Sequence, residues 1–315
     1  MKHIITVLEH RDYNPEALAI MKTLGSVKNY CEENYDPETT VLVSRLAYHL
    51  NRTFLSRFPK TKFIISPTTG LNHIDLSYCD NEHIQVLSLK GEEVFLKQIT
   101  ATAELAFTLI LNLVRNIKPS LRSVLDDKIW NRNQFKGREL NNMTLGILGF
   151  GRLGQQVAQY SKAFGLKVLV SDPFIKPTVI KKNKVLSCSK KKLFQQSDIV
   201  SLHVNYESTN HNLVNFKEFE CMKDGSYFVN TARGELIDEG ALLDALSSGK
   251  LAGAALDVLE NEQDSTTLFN TPLMRYAQEH DNLLITPHIG GCTLESMQKT
   301  ELFIVNKLKS FLENS

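Results

Sequence analysis

The chain of 315 residues carries a formal net charge of +1, with 42% hydrophobic and 23% charged residues. That length suffices for two ordinary cores, the composition is that of a soluble globular protein, and the near-zero charge points away from nucleic acid and from membrane surfaces as partners. Five scattered cysteines, Cys31, Cys79, Cys188, Cys221 and Cys292, form no CxxC pair; they argue against a disulfide framework and a metal site, and for reduced thiols in the cytoplasm.

Taken in order, His3–Leu8 reads as a buried strand and not as the core of a signal peptide. A helix is predicted over Pro15–Leu24, with Pro15 in its first turn and Gly25 at its end. Thr40–Ser44, Lys62–Ser66 and Ile84–Ser88 read as further strands, with a helix over Asn51–Phe58. An apolar helix follows over Thr102–Ile117. Its apolar run, Leu105–Val114, is too short for a bilayer and is interrupted by Thr108 and Asn112. Strands then recur at Thr144–Gly149, Lys167–Ser171, Asp198–Val204, Ser226–Asn230, Ala252–Asp257 and Leu283–Thr286, and a helix over Thr293–Leu312 closes the chain. This alternation predicts an α/β protein with parallel sheet covered by helices on both faces. Lysine-rich stretches at 181–184 and 190–192 are short enough to be solvated surface.

The strand at Thr144 runs into Gly149-Phe-Gly151-Arg-Leu-Gly154 and then into a helix. Glycines there let the backbone turn tightly and approach a pyrophosphate, which the free N–H groups and positive end of the helix dipole then hold. The next strand ends at Asp172, at the distance where a carboxylate accepts hydrogen bonds from an adenosine ribose and repels a 2′-phosphate. NAD is therefore expected in preference to NADP.

Ligands of an open parallel sheet sit beyond the carboxyl ends of its strands. Arg233 follows the strand ending at Asn230, Glu262 follows the strand ending at Asp257, and His288 follows the strand ending at Thr286. Together they suit hydride transfer to a keto acid. A histidinium gives a proton to the oxygen where charge builds, a carboxylate orients and stabilises that ring, and a guanidinium holds the substrate carboxylate in a fork.

On these residues the sequence resembles the D-isomer-specific 2-hydroxyacid dehydrogenases, most closely their phosphoglycerate dehydrogenase branch. The resemblance extends through Thr69-Gly70-Leu-Asn-His-Ile-Asp75, Thr102-Ala-Glu104, Trp130-Asn-Arg132, Gly149–Gly154, Asn230–Gly234 and Pro287–Gly291. It implies two doubly wound parallel-sheet domains, a Rossmann cofactor domain (101–288) inserted into a flavodoxin-like substrate domain (1–100 and 289–315). It implies His288 as acid/base, Glu262 as its partner and Arg233 as substrate clamp. Backbone N–H groups near Thr69 and Gly70 would bind the substrate carboxylate, and Arg132 a distal anionic group, such as the phosphate of 3-phosphoglycerate. Beside Gly149, Gly151, Gly154 and Asp172, the cofactor set implied is Thr102, Arg152, Leu153, His203, Thr231, Ala232 and Asp257, with Asp257 on the nicotinamide carboxamide. A homodimer through the cofactor domain is implied, with Trp130 on the dimerising arm.

The sequence departs from the family at Asn205 and Gln263, where proline is usual. It departs again at the stretch Gly91–Ile99 before Thr102, and at Ser66, where phosphoglycerate-type members can carry an arginine. Arg45 is a further candidate cation for a phosphate. A second expectation stands beside the enzyme: a non-catalytic NAD(H)-sensing protein of the same fold. Formate oxidation is disfavoured, since that branch pairs its histidine with glutamine and this chain has Glu262.

Overall fold

Parallel sheet accounts for the alternation, and it comes as two separate sheets. The computed structural model describes residues 3–313. The chain folds as two units, one of residues 1–99 with 292–315, the other of residues 100–291.

In the first unit, β1 (His3–Val7), β2 (Gly25–Asn29), β3 (Val41–Val43), β4 (Phe63–Ile65) and β5 (Gln85–Leu87) form a parallel sheet in the order β2-β1-β3-β4-β5. β2 departs from the expectation that Gly25 merely ends a helix. The chain enters β2 directly, with Gly25 extended and so close to β1 that a Cβ would lie 1.9 Å from the His3 carbonyl oxygen. The helix foreseen over Asn51–Phe58 is a single turn, Arg52–Leu55. The C-terminal helix, Leu294–Glu313, buries Ile304, Val305 and Leu308 among Ile5, Val7, Met21 and Val41. Polar ties fix it: the Glu301 carboxylate accepts the Asn14 N–H at 2.7 Å and pairs with the Arg45 guanidinium.

In the second unit, β6 (Thr144–Leu148), β7 (Lys167–Ser171), β8 (Leu186–Ser187), β9 (Ile199–Leu202), β10 (Ser226–Asn230), β11 (Leu251–Leu256) and β12 (Leu283–Ile285) form a parallel sheet in the order β12-β11-β10-β9-β6-β7-β8. The order reverses at β6, so the loop after β6 lies at the switch point where such sheets bind ligands. One face packs on the helix Ala101–Val114 through Ala103, Ala106 and Ile110; the other buries Phe194, Phe219, Phe228 and Leu242.

The window Glu93–Val114 is long and apolar enough to cross a membrane by composition. Its helix is interrupted before Ala101, however, and Ala103, Ala106, Ile110 and Val114 are fully buried in the protein core. The long helix is also shorter than foreseen. Asn116 adopts a left-handed conformation (φ 51°), and a separate helix, Ile117–Leu125, follows. There the Lys118 ammonium donates to the carbonyls of Ala277, His280 and Leu283 at 2.9–3.0 Å.

Candidate active site

The loop after β6 is built by three glycines with three different tasks. Gly149 has φ +88°, which L side chains rarely adopt. Gly154 approaches its neighbours so closely that a Cβ would lie 2.3 Å from the Gly149 carbonyl oxygen. A Cβ on Gly151 would meet nothing within 4 Å, so the loop leaves open space there. The helix Arg152–Ala163 begins just after it, with no side chain capping its N-terminus. Open space before uncapped N–H groups at a positive dipole end fits a pyrophosphate. Asp172 ends β7 and also shapes the loop, accepting the Phe150 N–H at 2.8 Å and the Phe174 N–H at 2.9 Å.

Two buried polar atoms near the same strand ends have no protein partner: His203 Nδ1, beyond β9, and Thr231 Oγ1, beyond β10. The other ring nitrogen of His203 meets Ser201 Oγ at 2.9 Å, and burial pushes the imidazole down to about 4, so the ring is neutral at pH 7. Orphaned polar atoms beside an open glycine loop and the N-terminal end of a helix are what a dinucleotide would satisfy. Of the expected cofactor set, Leu153 and Ala232 pack their side chains against the hydrophobic core.

The second unit also holds the three residues expected to take part in the reaction, Arg233, Glu262 and His288. Beyond β10, Asn230 shapes the turn: its carbonyl oxygen accepts the Ala232 N–H at 2.9 Å and its amide donates to the Arg233 carbonyl at 2.8 Å. Sequence reading missed Asn230, although asparagine at a strand end is a turn signal. The Arg233 guanidinium is half-buried, donates to the Ala232 carbonyl at 2.6 Å, and is held below its ordinary value by burial. Glu262 and Glu235 pull it back up.

Beyond β12 the chain makes a tight turn. His288 has φ 53°, uncommon for a residue with a side chain, and its N–H donates to the Asp257 and Thr286 carbonyls at 2.9 Å. The Asp257 carboxylate holds this turn, accepting from Thr286 Oγ1 at 2.5 Å, Ile289 N–H at 2.9 Å and Gly290 N–H at 2.8 Å. Thr102 adds a bond from its hydroxyl to the Gly290 carbonyl at 3.0 Å. Asp257 is 1% exposed, and burial raises its carboxyl above the usual range. Asp257, expected on the nicotinamide carboxamide, thus has both carboxylate oxygens bonded to the turn that carries His288.

His288 Nδ1 pairs with Glu262 Oε1, the shortest polar contact of the site. A carboxylate only accepts, so the proton sits on Nδ1 and Nε2 is left to exchange a proton with a ligand. Arg233, Glu262 and His288 thus come from three segments of one unit.

The first unit holds Thr69 and Gly70 on the loop after β4. Among the described residues, no N–H of Thr68, Thr69, Gly70 or Leu71 donates to a protein acceptor. Hydroxyls stiffen the loop: Ser66 Oγ meets Thr68 Oγ1 at 2.9 Å, and Thr68 Oγ1 donates to the Gly70 carbonyl at 2.8 Å. Ser66 is fully buried, and Arg45 is engaged by Glu301, the Arg11 and Asp12 carbonyls and the Tyr13 ring, so neither is placed for a phosphate. Arg132 lies exposed on the 3-10 turn Arg132–Phe135.

Residues 107–290 match the family profile described as D-isomer specific 2-hydroxyacid dehydrogenase, NAD binding domain. Hydroxypyruvate reductase of Thermotoga maritima is 35% identical over 272 residues, 86% of this chain and 84% of that protein. D-3-phosphoglycerate dehydrogenase of Methanocaldococcus jannaschii is 31% identical over 318 positions, 98% of this chain but only 58% of that protein. The chain spans 46% of the human D-3-phosphoglycerate dehydrogenase, at 33% identity. The crystal structure of D-lactate dehydrogenase from Aquifex aeolicus complexed with NAD and lactic acid matches with a TM-score of 0.85 at 31% identity, covering 99% of this chain and 96% of that one.

Proposed function

The chain belongs to the D-isomer specific 2-hydroxyacid dehydrogenase family, whose members are NAD-dependent oxidoreductases, and from that premise we propose that it interconverts a small, unphosphorylated 2-keto acid of the hydroxypyruvate type with its D-2-hydroxy acid. The observation that carries the reading is the pairing of His288 with Glu262, on the same unit as Arg233. The open loop at Gly151, the uncapped helix at Arg152 and the Asp172 carboxylate would hold NAD, which supplies or receives the hydride at carbon 2 of the substrate. His288 gives a proton from Nε2 to the carbonyl oxygen as negative charge builds there, and takes it back in the reverse direction. Glu262 holds the ring by Nδ1 and favours its protonated form. Arg233 grips the substrate carboxylate in a two-pronged bond, and the free N–H groups of Thr69 and Gly70 are donors of the same kind.

The buried Ser66, the engaged Arg45 and the likeness to a hydroxypyruvate reductase support a substrate without phosphate. The exposed Arg132 supports a second reading, a phosphorylated substrate such as 3-phosphoglycerate. The test is loss of NADH absorbance with hydroxypyruvate, glyoxylate, pyruvate and phosphohydroxypyruvate. The first reading requires hydroxypyruvate to have the highest kcat/KM. Preference for the phosphorylated acid that disappears in Arg132→Ala establishes the second. No turnover with any acid, despite NADH binding, leaves the non-catalytic NAD(H)-sensing protein.

We also infer a homodimer through the second unit. The helix Ile117–Leu125 and the segment after it expose Leu121 (55%), Leu125 (70%) and Trp130 (90%), a cluster of apolar groups that association would cover. The apparent mass from light scattering should be twice that of the chain, and Trp130→Glu should lower it. The cysteines, all free, support a cytoplasmic location.

A further inference from the structure

Glu262 does not hold itself in place. It lies on the irregular segment after β11, where Asn261 adopts a left-handed conformation (φ 57°). Two carboxylates gather the N–H groups of that segment. Glu262 Oε2 accepts the Leu259 N–H at 3.1 Å, and Glu239 Oε1 accepts the Glu260 N–H at 2.8 Å. Glu239 comes from elsewhere in the chain, at the first residue of the helix Glu239–Ser247. Helix capping does not explain its side chain, because Asp238 already caps that helix by accepting the Ala241 N–H.

The same peptide is also the floor under the substrate clamp. A Cβ on Gly234 would lie 2.1 Å from the Leu259 carbonyl carbon and 2.2 Å from the Glu260 nitrogen, so the backbone following Arg233 rests directly on peptide 259–260. Whatever fixes that peptide therefore bears on Glu262 and on Arg233 at once.

We propose that Glu239 is a positioning residue for the reaction: it grips the Glu260 N–H and so fixes the turn that aims Glu262 at His288 and seats Arg233. The proposal rests on the acid/base role given to His288 and Glu262. A charged acceptor is the stronger kind of hydrogen-bond partner for a backbone N–H, and a half-buried one is little screened. Burial and the nearby Glu260 charge raise the Glu239 carboxyl above its ordinary range, while the bond to the Glu260 N–H draws it back.

The charged groups around the assembly are few. Glu260 faces Glu239 and lies 4.0 Å from His211. Glu262 and Asp257 face His288, and Glu262 and Glu235 face Arg233. Freeing the turn lets Glu262 leave the imidazole, which then lacks the carboxylate that orients the ring and balances its charge during proton transfer.

The experiment compares pH profiles of kcat/KM for keto-acid reduction in the wild type, Glu239→Ala, Glu239→Asp, Glu239→Gln and Glu262→Gln, with NADH affinity followed by fluorescence. Glu239→Ala should lose about tenfold in kcat with NADH affinity unchanged. The alkaline limb of its profile should move to lower pH, part of the way to that of Glu262→Gln. Glu239→Asp keeps the charge but withdraws the oxygen and should behave similarly, which serves if the alanine variant does not fold. Glu239→Gln keeps an acceptor oxygen and should recover most of the loss. A shifted limb in Glu262→Gln, with wild-type limbs in the folded Glu239→Ala or Glu239→Asp proteins, overturns the positioning role alone. An unshifted limb in Glu262→Gln overturns the acid/base reading and this inference with it.

Discussion

The turns beyond β10, β11 and β12 and the loop after β4 present polar groups in different chemical forms. In the second unit the groups we propose to react are ionisable side chains: a guanidinium, a carboxylate and an imidazole, each beyond the end of its own strand. In the first unit, residues 68–71 present neutral hydroxyls and backbone N–H groups that donate to no acceptor among the described residues. Ionisable side chains can move protons and balance charge, whereas backbone donors hold a shape and are insensitive to pH. Substitutions in the two regions should therefore differ in kind: rate and pH dependence in the one, substrate affinity in the other.

The largest expected effect lies with the clamp. Arg233→Ala should lower kcat/KM for a 2-keto acid about a hundredfold, the loss of a charged bidentate contact, with kcat falling and KM rising together. A change in KM alone would place Arg233 among simple affinity groups and blur the comparison.

Acid stability sharpens it from another side. The folded protein refuses His203 a proton until about pH 4, whereas the unfolded chain accepts one near 6.5. Stability from this group is therefore intact above 6.5 and declines as pH falls towards 4, by on the order of 2–3 kcal/mol in all. Urea unfolding at pH 7 and pH 4.5 should show that decline in the wild type and a shallower one in His203→Asn. Equal declines would mean that the ring is protonated in the fold.

Asp172→Ala comes next. Removing the charge should narrow the preference for NAD over NADP by about tenfold, roughly 1.4 kcal/mol, read as the ratio of kcat/KM for the two cofactors. An unchanged ratio would confine Asp172 to shaping the glycine loop through Phe150 and Phe174.

Thr68→Val is the mildest. It keeps the shape and removes the hydroxyl that fixes the Gly70 carbonyl, so KM for the keto acid should rise a few-fold, under about 1 kcal/mol. kcat and the pH profile should stay as they are. A shifted pH profile would show that the loop shares in proton transfer after all.

Legibility follows the same division. The buried strands β1, β6, β7 and β10 stand out as apolar runs bounded by turn signals. The edge strands β2 and β8 do not, because Gly-Ser-Val-Lys-Asn and Leu-Ser are mostly solvated and carry no apolar pattern. The break at Asn116 was missed although Arg115-Asn116-Ile117-Lys118-Pro119 carries an asparagine and a proline, both of which favour a helix end. Arg233, Glu262 and His288 were readable because each lies just past a strand that can be recognised, and strand ends converge in a parallel sheet. Glu239 was not, since it holds a backbone group far along the chain, a contact that leaves no mark on composition or spacing; Asn230 did carry a turn signal at its strand end. Asp257 was visible as a strand-end acid, but the bonds it accepts from Thr286, Ile289 and Gly290 depend on a turn that sequence does not spell out.

The division of the chain also sets an order of events during synthesis. Residues 100–291 are continuous, so the second unit can close as soon as it has left the ribosome. The first unit cannot, because Ile304, Val305 and Leu308, which cover Ile5, Val7 and Met21, follow the whole second unit in the chain. At ordinary elongation rates that face of the sheet stays uncovered for on the order of 10–40 seconds. A chain ending at residue 291 should thus keep a protease-resistant second unit behind a protease-sensitive N-terminal segment whose apolar strands lie open.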